Sequence, residues 1–122
     1  MTGENPGSEK IDPSEIESSL SAVSRKLSDS AQLNKPGSIL IRFTDSGDEY
    51  SIEMTGREAR MIRAAPATAP LVEVHGPSTV LEAIMDGRKE AASAFREGGI
   101  RVRGDVPYLE ALLKDIGLLQ CP

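Results

Sequence analysis

The sequence predicts an α+β fold: one twisted, mainly antiparallel five-stranded sheet with helices packed on one face. Three observations lead there. First, apolar residues alternate in Ser38–Thr44 (SILIRFT) and Glu49–Met54 (EYSIEM), and the turn-forming DSGD joins them, which specifies a hairpin. Second, other segments carry apolar stripes at helical spacing, such as Ile16, Leu20, Val23 and Leu27. Third, after one leading helix the hairpin-linked strands come first and the helices gather later, unlike the regular βαβ alternation of a parallel sheet.

Met1–Lys10 (MTGENPGSEK) is rich in Gly, Pro, Ser and Glu and reads as a disordered tail, leaving residues 11–120 as a single domain. Asp12 is a good N-cap, Pro13 suits the first helical position and Glu15 completes a capping box. Ile16, Leu20, Val23 and Leu27 then form one apolar stripe. The serine-rich remainder of this helix marks it as a cover, and NKPGS (Asn34–Ser38) stops it. In the first strand Ile39, Ile41 and Phe43 share one face, and in the second Tyr50, Ile52 and Met54 do. After the Thr55-Gly56 turn, Glu58–Ala64 reads as a third strand, with Arg60 and Arg63 on opposite sides.

The prolines of Ala64–Pro70 (AAPATAP) make a loop. Leu71–His75 follows as a fourth strand with Val72 and Val74 inward. Gly76–Thr79 ends it and starts a helix whose stripe is Val80, Leu81 and Ile84, closed by Gly87. Arg88–Glu97 reads as a short alanine-rich helix with Ala91, Ala92 and Phe95 on one side, ended by Gly98-Gly99. Ile100–Arg103 is the fifth strand. Gly104 breaks it, and Asp105 caps a last helix, Val106–Leu119, with Leu109, Leu112, Leu113, Ile116 and Leu119 on a broad apolar face.

Composition narrows the function. Of the 122 residues 39% are hydrophobic, only 3% are aromatic and none is Trp, so the core must be aliphatic. The formal charge of −5 disfavours nonspecific nucleic-acid binding, which draws its affinity from a positive surface. A single cysteine, Cys121, cannot form an intramolecular disulfide and fits a reducing compartment. The first residues lack the basic and apolar blocks of a signal peptide, and no apolar run approaches the roughly 20 residues of a membrane span. A cytoplasmic chain is expected.

Catalytic chemistry finds little support. His75 is the only histidine, and no cysteines or carboxylates stand around it at metal-ligand spacing. There is no G-x-S-x-G turn. Gly98-Gly99 precedes a strand, whereas phosphate-cradling glycines precede a helix. No enzyme activity, cofactor or metal is predicted. Arg57, Arg60, Arg63, Arg101 and Arg103 would form a basic patch if the third and fifth strands were neighbours, and are solvated outward positions otherwise.

The stretch LVEVHGPSTVLEAIMDGRKEAASAFREGGIRVRGD, followed by VPYLEALLKDIGLL, resembles the sterol carrier protein-2 (SCP2) sterol-binding domain family. The likeness is carried by Gly87, Ala91–Phe95, Gly98-Gly99 and Gly104-Asp105, and the upstream hairpin fits it. Ala69-Pro70-Leu71 stands where family members often have Pro-Asp or Ala-Asp. The Leu-Gln-Cys-Pro ending is not the peroxisomal signal of the animal members, so a free-standing bacterial-type member is implied.

The resemblance implies an apolar tunnel between sheet and helices for a sterol, fatty-acyl chain or similar lipid, bound without catalysis, with the last helix as its gate. The candidate lining is Phe43, Met54, Ile62, Val80, Ile84, Met85, Phe95, Val102, Leu109, Leu112, Leu113 and Ile116. The alternative is an SCP2-like interaction or dimerisation module without bound lipid, acting as a homodimer or beside a partner enzyme.

Overall fold

The computed structural model describes residues 13–30, 33, 35–55 and 57–119. The expected N-terminal tail, the Asp12 cap and Cys121 lie outside these residues. Helix α1 (Pro13–Ser28) buries Ile16, Leu20, Val23 and Leu27, the stripe expected from their spacing. Strands β1 (Pro36–Phe43), β2 (Glu49–Thr55), β3 (Ala59–Ile62) and β4 (Val72–Gly76) follow, then α2 (Ser78–Met85), α3 (Ala91–Arg96), β5 (Arg101–Gly104) and α4 (Val106–Asp115). The element order is the one read from the sequence.

The five strands form one sheet in the order β3-β2-β1-β4-β5. Three of its pairings are antiparallel, and β1 with β4 is parallel. The register aligns one apolar face across the sheet. Ile39 lies opposite Ile52 and Val72, Ile41 opposite Tyr50 and Val74, and Val74 opposite Val102. Because successive side chains alternate between faces, this single register commits every inward residue to the side that the helices cover. The other face carries ion pairs such as Arg42–Glu49 and Arg60–Glu53, with His75 bonded to Glu73 at 3.1 Å.

The edges of the sheet decide two readings, one left conditional and one to be corrected. Strands β3 and β5 sit at opposite ends of the sheet, so Arg57, Arg60 and Arg63 are separated from Arg101 and Arg103 and form no common patch. Arg60 instead pairs with Glu53, and Arg63 with Glu17 of α1 at 2.7 Å. Ile62 lies opposite Ser51, on the face away from the helices; Met61, opposite Ile52, is the inward residue of β3. Four residues carrying two arginines gave β3 no clear alternation, and pairing with β2 decides its faces.

Helices α2, α3 and α4 end alike. In each, a glycine of positive φ (Gly87, Gly98 or Gly117) follows the C-cap, and the next N–H bonds back to the carbonyl of Ala83, Ala94 or Leu113, each at 2.8 Å. Two helices are shorter than expected, α3 at its start and α4 at its end. The α3 helix occupies only Ala91–Arg96, buries Ala91 and Ala94, and leaves Phe95 54% exposed. The α4 helix stops at Asp115, and the reversal at Gly117 folds Leu118 and Leu119 back into the core. At its other end, Asp105 accepts from the Tyr108 N–H at 3.2 Å, the cap read from the sequence.

Two polar ties fix the layers. The Ser28 hydroxyl accepts from the Ala59 N–H at 2.8 Å and lies 3.1 Å from the Ala59 carbonyl, so the end of α1 is fastened to β3. Lys35, just before β1, pairs with Asp105 at 2.9 Å and places its ammonium 4.7 Å from the centre of the Tyr108 ring.

Candidate ligand cavity

A cavity of about 340 Å³ lies between the inner face of the sheet and the helices. Its floor is Ile39, Ile41, Ile52, Val74 and Val102, the residues that the β1 register places side by side. Leu20, Val23 and Leu27 of α1 close one side, and Leu81, Ile84 and Met85 of α2 another. Ala91, Ala92, Phe95 and Arg96 of α3 stand against Val106, Leu109, Glu110, Leu112 and Leu113 of α4, with Leu118 and Leu119 behind. Phe95, Arg96 and Glu110 are exposed, so the cavity meets solvent between α3 and α4.

Of the residues singled out from the sequence, Ile84, Met85, Phe95, Val102, Leu109, Leu112 and Leu113 border this space. Five do not. Phe43 is fully buried and packs edge-on against Tyr50, with ring centres 5.6 Å apart, filling the core beyond the cavity. Met54 is 2% exposed, opposite Gly37 and Ala59, where it plugs the other end of the hairpin. Ile62 is on the outer face. Val80 and Ile116 are partly buried and pack against the core without reaching the cavity.

The sequence reading missed the contribution of α1. Its serines suggested a mere cover, yet Leu20 and Leu27 are almost wholly buried and wall the space. Their spacing was the available signal. Ile39, Ile41 and Ile52 were recognised as inward, but nothing in strand alternation separates a floor beneath open volume from a filled core.

The wall is chemically simple. Apart from Arg96 and Glu110 at the mouth, its side chains are aliphatic, aromatic or thioether, with no strong hydrogen-bonding group. Such a cavity gives water no polar partners and suits an apolar guest. Met85 adds a flexible, polarizable surface that can adapt to shape. Perturbed titrations lie elsewhere. Burial, with the Glu17 carboxylate beside it, pushes the Tyr50 phenol up. The Asp45 carboxyl is held below its ordinary range: partial burial opposes this, and hydrogen bonds from Ser78 outweigh it. Asp105 is lowered by its bond to Lys35 and by the Tyr108 N–H. Among the described residues no cluster of His, Cys, Asp or Glu could hold a metal, and no helix is long and apolar enough to cross a membrane.

No protein-family model matches the sequence, and none of the curated proteins does. Solved structures do match. The sterol carrier protein domain 2 of Helicoverpa armigera aligns with a TM-score of 0.68 at 12% identity, over 94% of this chain and 100% of that one. Palmitated SCP2L2 from Aedes aegypti aligns with a TM-score of 0.65 at 15% identity, over 88% and 98%. A stereoselective inverting sec-alkylsulfatase from Pseudomonas sp. aligns at 0.65 and 14% identity over 92% of this chain, which spans only 17% of that enzyme's length. With four helices over a five-stranded mixed sheet among the described residues, and near-complete mutual coverage with the sterol carrier domains, the chain has the sterol carrier protein-2 fold.

Proposed function

We propose that this domain is a noncatalytic carrier of apolar lipid, taking one fatty-acyl chain or a similarly slender guest into the cavity between sheet and helices. The observation that carries this reading is the wall itself, apolar on every side and charged only at the mouth. A volume of about 340 Å³ falls within the roughly 300–1,000 Å³ of ligand pockets, toward the slender end. The palmitated state of the Aedes aegypti neighbour supports the same reading. Binding would draw on apolar burial, at about 25 cal/mol per Å² removed from water. After ordering costs, an affinity near micromolar is expected, about −8 kcal/mol. The ligand-contacting residues would be Ile84, Met85, Phe95, Val102, Leu109, Leu112 and Leu113, together with Leu20, Val23 and Leu27. A cytoplasmic setting is part of this proposal.

Native mass spectrometry of freshly purified protein tests it, with titration of a fluorescent fatty-acyl probe alongside. Added mass of a lipid, or saturable probe uptake at one site per chain, is the expected result. Protein that carries no lipid and takes up no probe, yet scatters light as an obligate dimer, would instead establish the interaction-module alternative.

A further inference from the structure

Two charges stand on the rim of an otherwise apolar wall: Arg96 of α3 and Glu110 of α4. Both are exposed, and among the described residues neither forms an ion pair, with the other or with any third group. The Arg96 guanidinium donates to the Ser93 hydroxyl at 3.3 Å. Their neighbours differ. Arg88 is bound to Asp86 and Lys89 to Glu97, each at 2.7 Å, so these charges beside the mouth are already matched.

We propose that the mouth selects single-chain amphiphiles with a zwitterionic head, the anionic part set against Arg96 and the cationic part against Glu110. This rests on the carrier reading of the cavity. With one charge of each sign on the rim, a purely anionic head gains from Arg96 what Glu110 largely takes back. A cationic head meets the reverse, and a neutral head gains neither attraction. Only a head bearing both signs matches both groups. Each contact is exposed and therefore modest, and two together should give about a fivefold to tenfold preference.

The test compares four single-chain amphiphiles: dodecylphosphocholine, dodecyltrimethylammonium and dodecyl maltoside with a twelve-carbon tail, and dodecanoate, whose twelfth carbon is its carboxylate, with tridecanoate run beside it to match tail length. Each competes with a fluorescent acyl probe below its own micelle concentration and at low salt, where exposed charges act most strongly. Dodecylphosphocholine should bind tightest. In Arg96→Gln the preference should move to dodecyltrimethylammonium, and in Glu110→Gln to dodecanoate. Circular dichroism should show both variants folded, since both positions are exposed. Equal binding of all four heads, or tightest binding of dodecanoate by the unaltered protein, would overturn the selection while leaving the apolar cavity intact. Binding of none of the four would remove the carrier reading and this one with it.

Discussion

The Asp45 carboxylate, in the β1–β2 turn, accepts hydrogen bonds from both the hydroxyl and the backbone N–H of Ser78, at 2.6 and 3.0 Å, across 33 residues of sequence. Pro77, at the N-cap of α2, makes no side-chain cap bond, so the hairpin turn supplies that cap instead. Asp45→Ala should destabilise the fold by about 1 kcal/mol, in the range of lost N-caps. Urea titration at neutral pH measures it, and Asp45→Asn should recover part of the loss.

The same contact predicts an acid limb. The folded pKa of Asp45 is depressed, so its contribution is complete above the ordinary carboxylate value of 3.8 and is lost as pH falls through the folded value. Asp105 acts in the same window, through Lys35 and the Tyr108 N–H. Urea midpoints followed from neutral pH to about 2 should decline in this window, and less steeply in Asp45→Asn.

An alkaline limb has the opposite sign. The Tyr50 phenol is raised by burial and by Glu17, so its contribution is present below the ordinary value of 10.0 and is lost as pH rises through the folded value. Ultraviolet titration of the phenolate should place Tyr50 above the ordinary value, and Glu17→Gln should bring it down.

Cavity wall and filled core should respond differently to substitution. Phe43→Ala, at a fully buried position outside the cavity, should cost about 3–5 kcal/mol of stability and leave acyl-probe affinity unchanged in the protein that remains folded. Ala92 borders the cavity and is only partly buried. Ala92→Phe should therefore fill volume with little loss of stability while weakening probe binding about tenfold, the equivalent of about 1.4 kcal/mol. Thermal melts paired with probe titration separate the two outcomes.

Gly104 joins β5 to α4 at φ +102°, and a Cβ there would overlap the Leu71 carbonyl oxygen. That carbonyl accepts the Asp105 N–H at 2.8 Å, so it cannot move aside without loosening the α4 cap. Gly104→Ala should destabilise by at least about 1–3 kcal/mol, the cost of backbone strain alone. Gly87→Ala, with open space around the added methyl, should cost less. Side-by-side urea curves give the comparison.

Much of the architecture is visible in local sequence because local chemistry creates it. The alternation of SILIRFT and EYSIEM sets the sheet faces, and Gly87 and Gly98 end their helices where expected. What could not be read depends on partners distant in the chain. Met61, and not Ile62, faces inward because β2 dictates the register of a strand too short to declare its own. The arginines of β3 and β5 are parted because β1 pairs in parallel with β4, a non-local choice. Phe43 and Leu109 look equally apolar, yet one fills space and the other borders it. Packing volume decides that, and periodicity does not record it.

The parallel pairing also constrains the order of assembly. The β1–β2 hairpin closes over a short turn, but Ile39 meets Val72 only after the chain has travelled out to β3 and back. Closing so long a loop is slow relative to forming a hairpin. The far wall, from Leu81 to Leu119, follows β4 in the chain. During synthesis the cavity therefore lacks its far wall until helix α4 has emerged, and the proposed guest could enter only after that point.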